Sequence, residues 1–550
     1  MAAMPRTPRT TATRTASRPG ALLRRLSPLL AAALLMAGGP VIAPALAKAP
    51  AKVQKSQKVQ KAQKVQKSAK AQKDQIAGKT ARATPSADAG LMQAGVPAQV
   101  AAALRRAGVP ASATSFYVVK LGAPSARASW NAQQPMNPAS TMKLVTTFAG
   151  LQLLGPEYRW QTSLYADAQP GFDGTVNGNV YLRGRGDPKL VPEEMAKLVA
   201  SARAGGATAI NGDLVLDRSY FADGLDGNGT IDGEAQRAYN VGPDALLYAF
   251  KTLSFTLTPD PVTQTVAVSV TPELAQLRLD NQLALTNGRC GDWQSRATPS
   301  VQPQSDGTVL ASFAGDYSSD CGEHVLNIAT LSHAEFTWGG FVAEWQRAGG
   351  RFTHLPALRS GKVPRGAVLL ARHYGLPLSD IVRDINKFSN NVMARQLFLT
   401  IGAELDRGGP ASPERSIRVV RRWLAKQGLD MPGLVLDNGS GLSREERISA
   451  YDMARLLQQA AASNVGPALV DSLPVLGVDG TLRNRLTGAN AAGSGYLKTG
   501  TLADVRALAG YVDAEDGSRY VLVSMINHPN AAQAREAHDA LMQWVYRGAP

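Results

Sequence analysis

The chain has 550 residues, of which 44% are hydrophobic and 19% charged, and a net charge of +16. That length exceeds one ordinary hydrophobic core and predicts two to four domains. Seventeen of the 59 Lys and Arg residues lie in residues 1–90 with only Asp74 and Asp88 to offset them, so the remainder is nearly neutral and a basic nucleic-acid groove is excluded.

In chain order, Arg6, Arg9, Arg14, Arg18, Arg24 and Arg25 precede an apolar run from Leu29 to Ala37 and the small residues Ala45-Leu46-Ala47. This is the pattern of an export signal (residues 1–47) cleaved after Ala47, which puts the mature protein in the periplasm or cell-wall space. The run is too short for the ~20 residues of a membrane span. Residues 48–88 follow, with Lys52, Lys55, Lys58, Lys61, Lys64, Lys67, Lys70 and Lys73 recurring every third position. Such a period winds lysines around every face of an α-helix and leaves no apolar face to pack. The tract reads as a disordered, self-repelling tether whose ammonium groups can touch anionic envelope polymers.

Order begins near Ala89. Residues 115–121 (SFYVVKL) and 128–131 (ASWN) predict paired strands across a Gly-Ala-Pro turn. Pro138 opens a helix with Leu144, Phe148 and Leu151 on one face, stopped by Gly155-Pro156, with Ser140 in its first turn. Short β-like runs such as 178–182 (GNVYL), 210–216 (INGDLVL) and 265–270 (TVAVSV) predict one or two inserted, mostly β domains over residues 162–380. Strands at 505–512 and 520–526, joined across Asp516-Gly517, precede a closing amphipathic helix marked by Ala534, Ala537, Leu541 and Trp544. The expected fold is α+β: an antiparallel sheet with helices from residues 89–161 and 381–550, interrupted by the insert.

In an oxidising compartment the two cysteines, Cys290 and Cys321, favour a disulfide over two free thiols, stabilising by about 3 kcal/mol. No metal site is expected. The six histidines are scattered, and in the run 226–233 (DGNGTIDG) a calcium-loop alignment puts Gly224 and Ala235 at ligand positions.

Three motifs carry the chemistry, in fixed order: Ser140-Thr141-Met142-Lys143, Ser389-Asn390-Asn391 and Lys498-Thr499-Gly500. Alone, each reads equally as a helix cap, a polar loop or a strand end; together they describe one acyl-transfer site. A serine hydroxyl needs a base within hydrogen-bond reach, and the i, i+3 spacing puts Lys143 there. Burial and a second cation, Lys498, favour loss of that lysine's proton. Ser389 can relay a proton to the leaving group, Asn391 can fix the lysine and the substrate amide, and the Ser140 N–H offers an oxyanion donor.

On these residues the chain resembles the three-domain, low-molecular-mass penicillin-binding D-alanyl-D-alanine carboxypeptidase/endopeptidases, whose fold is the penicillin-binding/β-lactamase-like serine acyl-transferase fold. The resemblance extends to residues 178–188 (GNVYLRGRGDP), 437–444 (DNGSGLSR), 479–482 (DGTL) and 498–501 (KTGT), and covers residues 90–550. It departs at Asn438, where that family more usually has Gly. The resemblance implies Ser140 as acyl-ester nucleophile, Lys143 as proton acceptor, and Ser389 and Asn391 as the second-motif pair. Lys498 and Thr499 would bind the substrate's terminal carboxylate, Gly500 would belong to the same substrate-binding strand, and the Thr501 N–H would complete the oxyanion hole. Leu442 and Arg444 would line the pocket for the peptide's diamino-acid side chain. The implied substrates are D-Ala-D-Ala stem peptides of peptidoglycan or D-Ala-diaminopimelate cross-links, the implied inhibitors are β-lactams, and no cofactor is required. A β-lactamase remains an alternative, although the Glu-x-x-Leu-Asn string of one class is absent between Asn391 and Lys498. A catalytically idle wall-binding protein is the other, although it has no use for Lys143 beside Ser140.

Overall fold

A computed structural model describes residues 87–550 apart from Thr230 and Asp232. The expected export signal and the lysines of the tract lie outside the described residues.

The two ends of the described chain build one sheet. Its strands run Gly495–Leu502, Val505–Asp513, Arg519–Asn527, Thr114–Lys120 and Ala126–Trp130, every neighbouring pair antiparallel. The register sets Val118 against Leu522, so residues some 400 positions apart in sequence are adjacent in the sheet. Period-two geometry sorts the side chains. Ala507, Ala509, Tyr511, Val521, Val523 and Met525 face a core shared with the helices Lys143–Leu154, Leu378–Phe388, Asn391–Leu405, Pro413–Lys426 and Ala450–Ala462. Leu508, Val512, Leu522 and Ile526 face a second layer of helices, Ala98–Arg106 and Arg535–Tyr546. A strand covered on both faces needs no polar half, which is why these strands are almost continuously apolar.

The nucleophile segment departs from the sequence expectation in one respect. Ala139–Met142 is a 3-10 turn and the α-helix begins only at Lys143, ending at Leu154 before Gly155, whose φ is 86°. Ser140 therefore precedes the helix instead of lying in its first turn. Its i, i+3 relation to Lys143 survives, because side chains three apart eclipse in a 3-10 turn.

A separate core lies in the middle of the chain. Strand Arg159–Ala166 passes from one core to the other. Trp160 is buried in the first and donates from Nε1 to Thr400 Oγ1 at 2.9 Å, whereas Leu164 and Ala166 belong to the second. Its antiparallel partner, Val368–Pro377, brings the chain back. Together with Val180–Arg183, Leu214–Asp217 and Leu358–Ser360 they form a mixed five-stranded sheet. The helices Pro192–Ala204 and His333–Arg347 share its core, the latter opened by a capping box between Ser332 and Glu335. The run 210–216 is not one strand: Ala209–Asn211 and Leu214–Asp217 belong to different sheets. The break falls at Gly212, where a Cβ would lie 2.1 Å from the Gly178 carbonyl oxygen, so only glycine allows this crossing.

Three three-stranded sheets complete this region: Arg351–Phe352, Ala209–Asn211 and Thr175–Asn177; Leu277–Thr286, Val309–Ser318 and Ser300–Pro303; and His324–Ile328, Leu253–Asp260 and Thr265–Thr271. Cys290 and Cys321 form a disulfide, with Cys321 packed against this core. It joins the chain just beyond the C-terminal ends of the parallel strands Leu277–Thr286 and Val309–Ser318, remote in sequence from all three motifs. No helix among the described residues is long and apolar enough to cross a membrane.

Candidate active site

The site forms where the 3-10 turn, the second-motif loop, the Lys498 strand and the segment 437–446 meet. Ala139 has a φ of 43°, a conformation that L-residues avoid. Side chains hold it there. Asn137 Oδ1 accepts from the Ala139 N–H at 2.8 Å. Asn137 is itself clamped by Asn527 at the end of the sheet, through the Asn137 N–H to Asn527 Oδ1 at 2.8 Å and Asn527 Nδ2 to the Asn137 carbonyl at 3.0 Å. Its Nδ2 donates to the Ser443 carbonyl at 2.9 Å. The strained turn that carries Ser140 is thus hung between the end of the sheet and the segment 437–446.

Lys143 is fully buried. Its Nζ lies 3.0 Å from Ser140 Oγ and 2.6 Å from Asn391 Oδ1, and donates also to the Ser440 carbonyl. Burial is the main force holding its ammonium well below the ordinary lysine range; Lys498 lowers it further, Glu446 opposes, and Arg395 adds to the lowering. Thus the first motif's serine and lysine meet as the sequence spacing requires.

Ser389 adopts a left-handed conformation (φ 56°) as the C-cap of Leu378–Phe388, and Asn390 caps the following helix by accepting from the Met393 N–H at 3.1 Å. This tight reversal turns Ser389 and Asn391 to the same cluster. Lys498 donates from Nζ to Ser389 Oγ at 2.8 Å and to the Thr499 carbonyl at 2.9 Å. It too is fully buried, and burial brings it down to about 7. Gly500 lets its strand lie against the nucleophile turn, since a Cβ there would fall 2.6 Å from the Pro138 carbonyl oxygen. Thr499 Oγ1 donates to Thr481 Oγ1 at 2.9 Å. Lys387 and Asp479 pair at 2.6 Å and tie the segment holding Thr481 to the helix before Ser389. Thr501 is exposed at the end of this strand.

Leu442 packs beside Ala139, Leu502, Val505 and Ile231. Arg444 stands at the rim in an ion pair with Asp504, both about half exposed. Ile231 belongs to the middle region of the chain, and so does Tyr239, whose carbonyl accepts from Asn391 Nδ2 at 3.0 Å.

Sequence reasoning missed four contributors. The Ser440 carbonyl, the Tyr239 carbonyl and the Asn137–Asn527 clamp carry no sequence signal of their own. Glu446 is fully buried behind Ser440 and accepts from the Gly439, Asn438 and Asp437 N–H groups at 2.9, 3.2 and 3.3 Å. It lies just beyond residues 437–444, a run read for Leu442 and Arg444 as pocket residues and not for its backbone.

The D-Ala-D-Ala carboxypeptidase 3 (S13) family matches residues 96–547. Among curated proteins, a D-alanyl-D-alanine carboxypeptidase of an Actinomadura species is 32% identical over 415 residues, which is 72% of this chain and 74% of that protein. The D-alanyl-D-alanine carboxypeptidase DacB of Haemophilus influenzae is 28% identical over 414 residues, 73% of this chain and 82% of its own length. The crystal structure of penicillin binding protein 4 (dacB) from Haemophilus influenzae superposes with a TM-score of 0.66 at 23% identity, covering 81% of this chain and 99% of that one. This likeness establishes the shared penicillin-binding-type fold. The same protein has been solved complexed with a novel β-lactam.

Proposed function

The chain belongs to the D-Ala-D-Ala carboxypeptidase 3 (S13) family and is a serine D,D-peptidase of peptidoglycan, and on that premise we propose that it releases the terminal D-Ala of stem peptides through an acyl ester on Ser140. One observation carries the assignment of roles: the Nζ of a fully buried lysine stands 3.0 Å from the serine Oγ. Lys143, as the neutral amine, takes the Ser140 proton while Oγ attacks the penultimate D-Ala carbonyl carbon. The N–H groups of Ser140 and Thr501 receive the oxyanion. Ser389 relays the proton that Lys143 accepted to the departing amide nitrogen, so D-Ala leaves and Lys143 returns to the neutral amine. Water then attacks the ester with Lys143 again as base. Lys498 and Thr499 hold the terminal carboxylate. Leu442 flanks the pocket for the diamino-acid side chain, and Arg444 exchanges Asp504 for a carboxylate on it.

Digestion of purified muropeptides tests the reading. Free D-alanine from pentapeptide monomers supports it; halved cross-linked dimers with no D-alanine released would reassign the enzyme to endopeptidase chemistry.

A pH dependence follows from Lys498. Its pKa is lowered to about 7 in the free enzyme, so the charged form that attracts a carboxylate is present below that value and lost as pH rises through it. A bound carboxylate favours the charged form and moves the loss to higher pH. The expected result is a kcat/KM that declines above pH 7 while kcat stays level further into alkali. Both profiles are measured with a D-Ala-D-Ala peptide, and a kcat/KM level through and beyond pH 7 contradicts the role of Lys498.

Residues 1–47 direct export, with cleavage after Ala47, and the lysines of residues 48–88 tether the enzyme to anionic envelope polymers. The support is the concentration of the chain's excess charge in a tract with no apolar face. Deleting residues 48–86 should leave turnover of a soluble peptide unchanged and weaken salt-sensitive sedimentation with isolated sacculi. Equal sedimentation of both proteins at low salt would sink this reading.

A further inference from the structure

We propose that Glu446 is a positioning residue of this reaction: by gathering the Asp437, Asn438 and Gly439 amides on one carboxylate oxygen, it aims the Ser440 carbonyl at Lys143 Nζ. The inference rests on Ser140 and Lys143 being nucleophile and base.

A neutral lysine amine has two N–H bonds and one lone pair. Proton abstraction requires the lone pair to face the Ser140 hydroxyl, so both N–H bonds must be occupied elsewhere. Around Nζ there are two such acceptors, Asn391 Oδ1 and the Ser440 carbonyl. Asn391 stands at the start of an α-helix and is braced by the Tyr239 carbonyl. Ser440 lies in irregular backbone, where nothing intrinsic to the chain fixes its carbonyl. Its direction is imposed from outside. Glu446 Oε1 binds the three preceding amides, at 2.9 to 3.3 Å. Thr146 Oγ1, on the nucleophile helix, donates to the Gly439 carbonyl at 2.6 Å. Asn438 Oδ1 accepts from the Ser440 N–H at 2.9 Å.

Of these braces Glu446 is the central one, and it is an expensive choice for a mere loop clamp. It is fully buried, and its Oε2 has no hydrogen-bond partner among the described residues. Burial pushes its carboxyl up to about 7, the Gly439 and Asp437 amides and Lys143 opposing and the Asp437 charge adding to the rise. The charged groups facing it are Lys143 from the nucleophile helix, Arg395 from the helix Asn391–Leu405, and Asp437 from its own loop. A carboxylate retained in such surroundings fits a group kept for the site it supports.

The test is benzylpenicillin acylation of the full chain, resolved into a non-covalent Kd and a saturating acylation rate constant. Glu446→Ala should lower the rate constant by roughly tenfold or more while leaving Kd unchanged. Glu446→Gln keeps an oxygen for the three amides and should restore most of the rate. If Glu446→Ala fails to fold, Glu446→Asp draws the acceptor back by one methylene and should show the same loss at unchanged Kd. A native acylation rate constant in both the Ala and Asp variants, with only thermal stability reduced, overturns the proposal, and so does a Gln variant as slow as Ala. Absence of a Ser140 adduct in the native protein would instead overturn the site reading on which the proposal rests.

Discussion

Benzylpenicillin is expected to add once to the native protein, on the peptide containing Ser140, and not at all to Ser140→Ala. The strained β-lactam amide takes the place of the D-Ala-D-Ala bond, and its carboxylate meets Lys498 and Thr499. After ring opening the leaving nitrogen stays attached, occupying the space that departing D-Ala clears for water, so deacylation is slow and the adduct survives to intact-mass measurement. Lys143→Ala should retain the fold yet slow acylation by at least the ~100-fold typical of losing a general base. The magnitude is that large because among the described residues Lys143 is the side chain that hydrogen-bonds Ser140 Oγ, whereas Lys498 is bound to Ser389 and the Thr499 carbonyl. An adduct on Ser140→Ala would remove Ser140 from the role of nucleophile. Rapid turnover of penicillin by the native protein would mark it as a β-lactamase.

The pairs that meet in this site differ in how far they could be read from the sequence. Ser140 and Lys143 are three residues apart, and any right-handed helical turn brings such positions together, so the contact was predictable even though the turn is 3-10. Two inner strands of the sheet were legible because apolar runs and the turn residues between them are local signals: residues 505–512 and 520–526 appear as Val505–Asp513 and Arg519–Asn527. Asn137 and Asn527 are 390 positions apart and lie in unremarkable sequence, so their mutual hydrogen bonds leave no local trace. Glu446 is the instructive case. In the run of residues 444–447 (REER) it reads as one more solvated charge, and only the folded chain reveals it as fully buried while its neighbour Glu445 is exposed. The helices Pro192–Ala204 and His333–Arg347 fell in a stretch read for its β-like runs, although Ser332 and Glu335 stand at capping-box spacing. The helical pattern was present there, diluted by the many Gly and Asp turns on either side.

Gly441→Ala is expected to cost the enzyme both stability and acylation rate, and the two losses have separable causes. Gly441 has a φ of 79°, and a Cβ placed on it would fall 1.9 Å from the Ala139 carbonyl oxygen and 2.7 Å from the Ser140 nitrogen. The backbone conformation alone costs alanine about 1–2 kcal/mol. The overlap adds about 1–3 kcal/mol if the surroundings yield. What must yield is the turn carrying the nucleophile, for the atoms struck are its own backbone. That turn is already strained at Ala139 and clamped by Asn137, so relief displaces Ser140 from its position 3.0 Å from Lys143 Nζ. A shift of about 1 Å in reacting groups lowers rates by on the order of 100-fold. Gly428 supplies the control: its φ is 70° and a Cβ there would meet nothing within 4 Å, so Gly428→Ala bears the backbone cost alone. Urea unfolding should place both variants below the native protein, with Gly441→Ala the lower of the two. Benzylpenicillin acylation should be native in Gly428→Ala and reduced about 100-fold in Gly441→Ala. Equal acylation rates in the two variants would mean that the close approach of residue 441 supports the fold and leaves the geometry of Ser140 untouched.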